Sequence, residues 1–320
     1  VMTYRPESGE WSIFARGLHD PLGVEALSDS SVLVMQRPEL TRLEDTDGDG
    51  EADWYRTVTD DFGISGNYHE FNYGPLIDST GRMYLGLNTA SNGAGIFDVT
   101  RGEVREEGLE GRMYAAVPYR GWMMKYFPER DTLMPYAAGF RSPNGFNFDD
   151  EGRLLVTDNQ GDWLGTNKLF VVEKGAFHGH PAALVWTEGF EGIQPLDLPV
   201  PVLEEMRRKA AVLLPHGILS NSATQPVRVN GEHGFGPFEG QLLIGEMNFP
   251  RVLRVWLEEV HGVVQGAATT LIDSTGPHQS GTRLQIGNNR LTWGPDGSLW
   301  LGQTEHGWTG RPGLQKVSYT

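Results

Sequence analysis

The sequence predicts an all-β fold built from repeated units, and three observations support this prediction. Glycine and proline are abundant, with 42 Gly and 19 Pro in 320 residues, and glycine supplies the positive φ that tight turns need. The aromatic residues, 14 Phe, 10 Tyr and 9 Trp, suit the surface of pleated strands. A short motif also recurs along the chain, and such recurrence is typical of a repeat architecture.

The recurring motif is a turn that opens an apolar stretch, and it occurs five times. Its marker positions are 23, 74, 145, 217 and 290, so the last three steps are nearly equal in length. A second tight turn follows four of the markers, at Ser30, Gly81, Gly152 and Gly297. Each unit therefore begins with a hairpin of two strands. Units of four strands arranged radially are the blades of a β-propeller.

The remaining elements follow from this repeat. Third strands are predicted at residues 40–43, 122–126, 168–172, 252–255 and 314–317. The last unit has no room for a fourth strand, so residues 11–15 are predicted to be the strand that closes it. Five markers predict five blades. Six blades is the alternative, because residues 88–120 and 174–215 are long enough to contain another.

One helix is predicted, over residues 202–213, because Leu203, Met206, Ala210 and Leu213 share a helical face. It belongs to an insertion around residues 187–215, between the third and fourth blades, that either covers the channel mouth or fills a packing gap. Residues 1–320 are otherwise predicted to form a single propeller domain.

Composition excludes several classes of function. The formal net charge of −16 repels phosphate backbones, so nucleic acid is not an expected partner. The absence of Cys excludes disulfides, thiolate metal sites and cysteine nucleophiles. No apolar run approaches the roughly 20 residues that span a bilayer. A cation or a neutral solute is the expected partner.

An acidic segment in the first blade has the spacing of a calcium loop. The side chains of Asp45, Asp47, Asp49 and Asp53 stand at relative positions 1, 3, 5 and 9, and the carbonyl of Glu51 stands at position 7. Ca²⁺ takes six to eight oxygen ligands, and this spacing lets alternate side chains converge on one centre. The sequence predicts a structural calcium site, and an acidic turn that binds nothing is the alternative.

Polar side chains follow the second strand of every blade, where an apolar ring would not require them. This pattern favours a central site for a solute or metal, and a water-filled channel without ligand is the alternative. These side chains and the polar residues at the starts of the blades together form the candidate substrate- and cofactor-binding set. Its members are Arg37, Asn72, Asn88, Asn144, Asn159, Gln160, His216, Glu246, Arg290 and Gln303.

Several blades also contribute histidines near the same positions. His69 precedes the first strand of the second blade, and a near-neutral imidazole there can act as a general base, with Glu70 and Asn72 expected to orient it. A divalent transition metal is the other role that such imidazoles suit. Its candidate ligands are His178, His180, Glu305 and His306.

Three segments resemble a known family in order along the chain. They are His69-Glu70-Phe71-Asn72-Tyr73-Gly74-Pro75, Gly139-Phe140-Arg141-Ser142-Pro143-Asn144-Gly145 and Lys174-Gly175-Ala176-Phe177-His178-Gly179-His180-Pro181. They resemble the blades of the soluble PQQ-dependent glucose/sorbosone dehydrogenases. The Asp45–Asp53 insertion also resembles propeller domains of secreted bacterial dehydrogenase-like proteins, which are often fused to cytochromes.

The resemblance implies a secreted or periplasmic oxidoreductase with a carbohydrate substrate, and an electron-accepting cytochrome as a further partner. It implies that His69 takes the proton of a sugar hydroxyl while hydride passes to the quinone, PQQ. It also implies that Arg141 pairs with the quinone and that Asn159, Gln160, Gly161 and Asp162 lie near a calcium ion bound to it.

The residues themselves depart from this pattern. Glu246 and Met247 stand where the family has a lysine for a quinone carboxylate, and Arg290 alone represents a pair of arginines. A tricarboxylate among Asp158, Glu246 and Glu305 is repelled unless cations intervene. Two alternatives therefore stay open: a metal-dependent carbohydrate lyase or hydrolase, and a sugar-binding propeller without catalysis.

Overall fold

A computed structural model describes residues 1–91, 99–275, 283–304 and 312–319. It confirms the all-β prediction: five sheets form the blades of a β-propeller, and each begins with the predicted hairpin. Outside the blades, strands β1 (Met2–Arg5) and β2 (Glu10–Ile13) form a separate two-stranded sheet.

The first two blades have four antiparallel strands each, in sequence order across the sheet. The first blade contains β3 (Gly23–Ser28), β4 (Ser31–Met35), β5 (Leu40–Glu44) and β6 (Trp54–Thr59). The second contains β7 (Asn72–Ile77), β8 (Met83–Leu87), β9 (Trp122–Phe127) and β10 (Thr132–Ala138). A 3₁₀ helix, Glu106–Leu109, lies in the long connection between β8 and β9.

The next two blades also have four strands, whereas the last has three among the described residues. The third blade contains β11 (Gly145–Phe148), β12 (Leu154–Asp158), β13 (Asn167–Val172) and β14 (Val212–Leu214). The fourth contains β15 (Ala223–Arg228), β16 (Leu242–Glu246), β17 (Arg251–Val260) and β18 (Val263–Asp273). The fifth contains β19 (Asn288–Trp293), β20 (Leu299–Gln303) and β21 (Gly313–Val317). All five predicted third strands are present.

Two of the repeated glycines have a packing reason. A Cβ on Gly23 would lie 1.5 Å from the carbonyl oxygen of Gly74, and a Cβ on Gly145 would lie 2.3 Å from the backbone nitrogen of Gln225. In each case the first strand of one blade packs backbone to backbone against the first strand of the next. Any side chain there would separate the two blades, which explains why glycine recurs at this position.

The predicted closure of the last blade by residues 11–15 is wrong among the described residues. β2 pairs with β1 in register from Met2 with Ile13 to Arg5 with Glu10. The following Phe14 and Ala15 are buried against Val34 and Leu43 of the first blade. A hairpin within the first residues brings together partners that are close in sequence, so its loop costs less entropy than pairing with a distant blade.

The predicted helix at 202–213 is also only partly correct. The structure has a short α-helix, α1 (Val200–Met206), and the residues after it form β14, the fourth strand of the third blade. Leu213 pairs with Lys168 of β13. Since β13 needs a neighbour for its outer edge, sheet pairing overrides helical propensity here. The insertion therefore lies within the third blade, between β13 and β14.

Short 3₁₀ helices complete the connections. They span Pro181–Trp186, Pro195–Asp197, Gly231–His233 and Gly236–Phe238. No helix in the described ranges has both the length and the apolar character needed to cross a membrane.

The described residues form two compact units. The first comprises Val1–Tyr136 with Ala182–Leu196, and the second comprises Ala137–Pro181 with Asp197–Thr320. In the second unit, one apolar cluster joins the third and fourth blades and another joins the fourth and fifth. Every residue of β12 and of β16, the second strands of the third and fourth blades, is buried.

Candidate functional site

Five polar side chains at the ends of the second strands share one structural role. We call them the strand-end clasps, because each binds the loop that precedes the first strand of its own blade. The clasps are Gln36, Asn88, Asp158, Glu246 and Gln303. In an antiparallel hairpin the end of the second strand lies beside the start of the first, so this position recurs in every blade.

The two acidic clasps accept the most hydrogen bonds. Glu246 accepts from the Ser220 hydroxyl at 2.5 Å and from the backbone nitrogens of Ser222 at 2.9 Å and Asn248 at 2.8 Å. Asp158 accepts from the backbone nitrogens of Arg141 at 3.0 Å and Ser142 at 2.7 Å. Both carboxylates are buried, and their charge is met by donors from the protein itself.

The amide clasps act in the same way. The Gln36 oxygen accepts from the His19 backbone nitrogen at 2.8 Å, and the Asn88 amide donates to the His69 carbonyl at 2.6 Å. Gln303 donates to the Ile286 carbonyl at 3.2 Å. The fold therefore gives each of these five side chains a partner, although the buried side-chain oxygens of Asn88 and Gln303 have none among the described residues.

His69 differs from the buried clasps in being only half-buried, and its ring also has a polar partner. The Ser91 hydroxyl contacts Nδ1 of the imidazole. The ring of Tyr68 lies 4.3 Å from the imidazole, and the ring of Phe71 lies 5.9 Å from it, between centroids. A ring nitrogen with a fixed partner has a defined orientation, and this is what a general base needs.

Asn67 joins the two residues of this pair. Its side-chain oxygen accepts from the backbone nitrogens of His69 at 2.9 Å and Ser91 at 3.3 Å. Its amide donates to the Ser91 carbonyl and to the Tyr114 hydroxyl, both at 3.1 Å. Asn67 is fully buried, so these bonds join the loop that carries His69 to the segment after β8 that carries Ser91.

The residues expected to orient His69 have other partners. The Glu70 carboxylate is fully buried and accepts from the backbone nitrogen and hydroxyl of Ser65, at 2.7 and 2.6 Å. Asn72 donates to the Arg37 carbonyl at 2.6 Å and accepts from Arg120 at 2.7 Å. Their role is to hold the loop.

Arg120 is the buried cation of this region. Its guanidinium is fully buried and donates to the Gly63 carbonyl at 2.9 Å and 2.5 Å. Burial lowers its pKa to about 10, and the nearby Glu70 charge opposes that shift. The group therefore stays protonated at neutral pH and balances Glu70 inside the first unit.

Arg37 belongs to the same loop network. It donates to the Asn67 carbonyl at 2.8 Å and forms an ion pair with Asp20 at 2.8 Å, and its guanidinium lies over Phe71. The first unit thus brings four of the predicted site residues together: Arg37, His69, Asn72 and Asn88.

In the second unit, Arg141 lies in the loop before the third blade, beside a buried ion pair. The Lys168 ammonium lies 3.3 Å from the Asp158 carboxylate and donates to the Asn159 carbonyl at 2.7 Å. Burial lowers the pKa of Lys168, and the Asp158 charge opposes that shift. Lys168 is a cation that sequence reasoning missed. It removes part of the repulsion expected from Asp158.

Two buried oxygens in this region lack a hydrogen-bond partner among the described residues. They are the side-chain oxygens of Asn159 and Gln160. Asn159 donates to the Ser222 hydroxyl at 3.1 Å, which fixes its amide. Gly161, which follows Gln160, lies so close to His180 that a Cβ added to the glycine would be 2.7 Å from Nδ1 of the His180 ring. Buried carbonyl oxygens without donors are the kind of group that binds Ca²⁺ or a ligand hydroxyl.

The histidines of the second unit differ in their surroundings. His178 is fully buried, stacked on Phe140 at 4.9 Å and edge-on to Phe170 at 5.1 Å, and burial lowers its pKa to about 4. His180 is buried beside Gly161. His216 is exposed, with Nδ1 3.5 Å from the Asn167 amide. The structure does not group these three as ligands of one metal.

Arg290 and Asn144 are brought together, because the guanidinium donates to the Asn144 oxygen at 3.0 Å. Glu305 and His306 lie outside the described residues. The Gln303 side-chain oxygen is buried and has no partner within the described part of the chain.

The predicted calcium loop connects β5 and β6. Carboxylate oxygens of Asp45, Asp47 and Asp49 lie within 4.8 Å of one another. In the part of the chain that the structure describes, no other three Asp, Glu or His side chains come together in this way. Asp53 is not in this group, because it accepts from the Thr46 hydroxyl at 2.8 Å. Glu51 pairs with Arg16 through its side chain. Calcium binding there stays a prediction.

Sequence reasoning missed three residues that the fold places at these positions: Asn67, Ser91 and Lys168. Ser91 had a weak signal, since it follows the polar end of a second strand. Asn67 and Lys168 had none, because an amide in a loop and a lysine in a strand are usually exposed.

A family described as a domain of unknown function, DUF7133, matches residues 8–188, more than half of the chain. The chain belongs to the DUF7133 family. The matching region includes His69, Ser91, Arg141 and Lys168. No curated protein matches the chain in sequence.

Solved structures share the fold of this DUF7133 chain at low sequence identity. Two, each described as a glucose dehydrogenase, have TM-scores of 0.64, identities of 16% and 14%, and cover 100% of this chain and 90% of their own. A luciferin-regenerating enzyme has a TM-score of 0.52 and 9% identity, with 99% of this chain and 83% of its own covered. The resemblance to the glucose dehydrogenase propellers is thus confirmed for the fold.

Proposed function

We propose that the chain is a sugar-directed oxidoreductase and that His69 is its general base. The observation that carries the proposal is the half-buried imidazole of His69 with Nδ1 against Ser91. In this proposal Nε2 is the ring nitrogen that takes a proton from a substrate hydroxyl. Fold similarity to proteins described as glucose dehydrogenases supports oxidation of a sugar as the reaction.

The reaction removes a proton and a hydride from a sugar carbinol. His69 takes the hydroxyl proton, and the hydride leaves the carbon for an acceptor. A quinone cofactor such as PQQ, when bound, supplies that two-electron acceptor. Arg141 offers a planar guanidinium for an anionic oxygen of the acceptor, and Lys168, whose pKa is lowered by burial and also by the Arg141 charge, is a second cation in the same region.

The donor set of the second unit fits a quinone that is bound together with a calcium ion. The unpartnered oxygens of Asn159 and Gln160 suit a hard cation, and cations are also what a carboxylated quinone requires beside Glu246 and Asp158. The repulsion expected from these two carboxylates is reduced, because protein donors already meet their charge. An extracytoplasmic location and a cytochrome as electron acceptor follow from the family resemblance and belong to this proposal.

The test is acceptor reduction by the purified protein. The protein is incubated with Ca²⁺ and PQQ, and a panel of aldoses is offered with dichlorophenolindophenol as the artificial acceptor. Bleaching of the dye that needs both the quinone and an aldose supports the proposal. Absence of dye reduction with every aldose, in protein shown to bind the quinone by its absorbance spectrum, overturns it.

The same preparation tests the competing chemistry. Turnover of an oligosaccharide to an unsaturated or hydrolysed product without any acceptor would assign the chain to the lyases or hydrolases. His19→Gln is the matched control for histidine variants, because this imidazole is exposed and its backbone, not its ring, contacts the clasp Gln36.

A further inference from the structure

We infer that the side chains of Asn67 and Asn88 are positioning residues that hold the main chain of His69 from both sides. The backbone nitrogen of His69 donates to the Asn67 side-chain oxygen at 2.9 Å, and the Asn88 amide donates to the His69 carbonyl at 2.6 Å. We call these two side chains the amide clamp. The inference rests on the proposed function for its effect on catalysis, whereas the clamp itself can be measured without any substrate.

The main chain of His69 lies outside the sheet ladder, in the loop before β7. The backbone nitrogen of Glu70 donates to the Asn67 carbonyl at 3.2 Å, and that of Phe71 donates to the His69 carbonyl at 2.8 Å. The first of these bonds closes a β-turn in which His69 is the third residue. A bond from an asparagine side chain to the backbone two residues on is an Asx-turn, so asparagine suits position 67.

The Asn67 amide has a defined orientation. Its oxygen accepts from the backbone nitrogens of His69 and Ser91, and its nitrogen donates to the Ser91 carbonyl and the Tyr114 hydroxyl. This arrangement uses both acceptor sites and both donors of the side chain. The opposite orientation would place an N–H group against two backbone N–H donors. Because Asn67 is fully buried and all its hydrogen bonds are made, it is a rigid support for His69.

Asn88 joins the turn to the sheet. It follows β8, and its own backbone nitrogen donates to the Phe71 carbonyl at 2.9 Å. Turning its amide over would bring the side-chain oxygen against the His69 carbonyl. In the observed orientation that oxygen is buried and has no partner among the described residues. An unpaired buried acceptor costs stability, and the donor to His69 is kept in spite of that cost.

The position of the imidazole depends on this main chain, since the ring is joined to Cα through χ1 and χ2 only. A general base acts within hydrogen-bond reach of the proton that it takes, and a misplacement of about 1 Å can cost about 10²-fold in rate. The clamp thus sets where the base stands, and it has no part in the choice of tautomer.

The experiment is amide hydrogen exchange, measured by NMR on the full chain labelled with ¹⁵N-histidine. The 9 histidines each give a main-chain signal, and His69→Gln assigns the one in question. Asn67→Ala should speed exchange at His69 about tenfold or more, because its N–H loses its acceptor. Asn67→Ser, which keeps an oxygen for the N–H two residues on, should retain most of the protection. The amide of His178, bonded to the Ala138 carbonyl at 2.8 Å, reports a general loss of stability.

Asn88→Ala tests the other side of the clamp. It should speed exchange at His69 because the turn loses its link to the sheet, and in sugar oxidation it should lower kcat about tenfold with KM little changed. Gln36→Ala is the matched control, since this clasp holds the loop before the first blade. It should leave kcat and exchange at His69 close to those of the parent.

Exchange at His69 that is the same in the parent, Asn67→Ala and Asn88→Ala overturns the inference. Exchange that rises at His69 only together with His178 also overturns it, since that is the result of a merely structural role. In a chain that oxidises sugars, an unchanged kcat in both alanine variants has the same meaning. If no sugar is oxidised, the proposed function fails, while the exchange rates still decide whether the clamp holds His69.

Discussion

The loop around His69 in the first unit and the loop around His178 in the second both place an imidazole beside a blade strand, but their surroundings differ. The ring of His69 is half-buried and contacts the Ser91 hydroxyl. The ring of His178 is fully buried between Phe140 and Phe170, and burial lowers its pKa to about 4. The ring of His69 keeps partial contact with solvent, whereas the ring of His178 is held neutral by the core.

This difference separates two kinds of polar group in the molecule. Hydrogen-bond donors of the protein meet the charge of the clasp Glu246, and burial keeps the imidazole of His178 uncharged. The ring of His69 and the carboxylates of the acidic loop at Asp45–Asp49 keep contact with solvent. Residues of the first kind should affect stability when changed, and residues of the second kind should affect activity or ligand binding.

The largest expected effect is on activity at His69. His69→Ala should lower the rate of sugar oxidation by about 10²-fold or more, because general base catalysis typically contributes that much. Its melting temperature should stay close to that of the parent, since the ring is half-buried. The measurement is the initial rate of dye reduction, with His19→Gln alongside. Retention of full activity in His69→Ala would remove this residue from the mechanism.

The second expected effect is on stability at Glu246. Glu246→Ala leaves the Ser220 hydroxyl and the backbone nitrogens of Ser222 and Asn248 without their acceptor. We expect a loss of about 4 kcal/mol in the free energy of unfolding, because several buried donors lose their partner together. Urea unfolding measures it. Glu246→Gln, which keeps an acceptor oxygen, should lose less, and equal losses in the two variants would contradict the clasp interpretation.

The third expected effect is a pH dependence that comes from His178. Its pKa falls from the ordinary 6.5 to about 4 on folding, so the unfolded chain binds more protons between these values. Stability should therefore be fully present above pH 6.5 and should fall by about 3 kcal/mol as the pH drops towards 4.

The difference between the parent and His178→Phe isolates this effect from other titrations. Phenylalanine keeps a ring between Phe140 and Phe170 and removes the titrating group. The variant should lose less stability than the parent over the same window, measured by urea unfolding at each pH. Parallel profiles for the two proteins would show that His178 is accessible to protons in the folded state.

The sequence predicted the blades well because their signal is local. Turns, alternating strands and the glycines at 23 and 145 each reflect a constraint within or between neighbouring hairpins. It predicted the partners of polar side chains poorly. Glu246 and Asn88 have the same appearance in the sequence whether they face a ligand or bind their own loop, and only the fold shows that the loop is beside them.

The same limit explains the errors at the chain's less regular parts. Residues 11–15 have the alternation of a strand, but the sequence does not say which strand they pair with. Residues 207–213 continue a helical pattern, but the end of this segment pairs with β13 as its outer neighbour and forms the strand β14. Pairing between distant segments is a property of the assembled sheet, and periodicity carries no information about it.

The smallest expected effect is the stabilisation of the chain by calcium at the acidic loop between β5 and β6, the other group that keeps contact with solvent. Asp45 is already shaped by the loop: its two carboxylate oxygens accept from the backbone nitrogens of Gly48 at 2.7 Å and Gly50 at 2.9 Å. Asp47 and Asp49 are exposed, and their oxygens converge with those of Asp45.

If Ca²⁺ binds only to the folded chain, free calcium at about 100 times Kd should add about 2.7 kcal/mol of stability. Asp47→Asn should reduce this gain, whereas Asp150→Asn, in the turn between β11 and β12, should leave it unchanged. A melting temperature that is the same in excess chelator and in added calcium would show that the loop is an acidic turn without a cation, and that solvent contact alone does not identify a binding group.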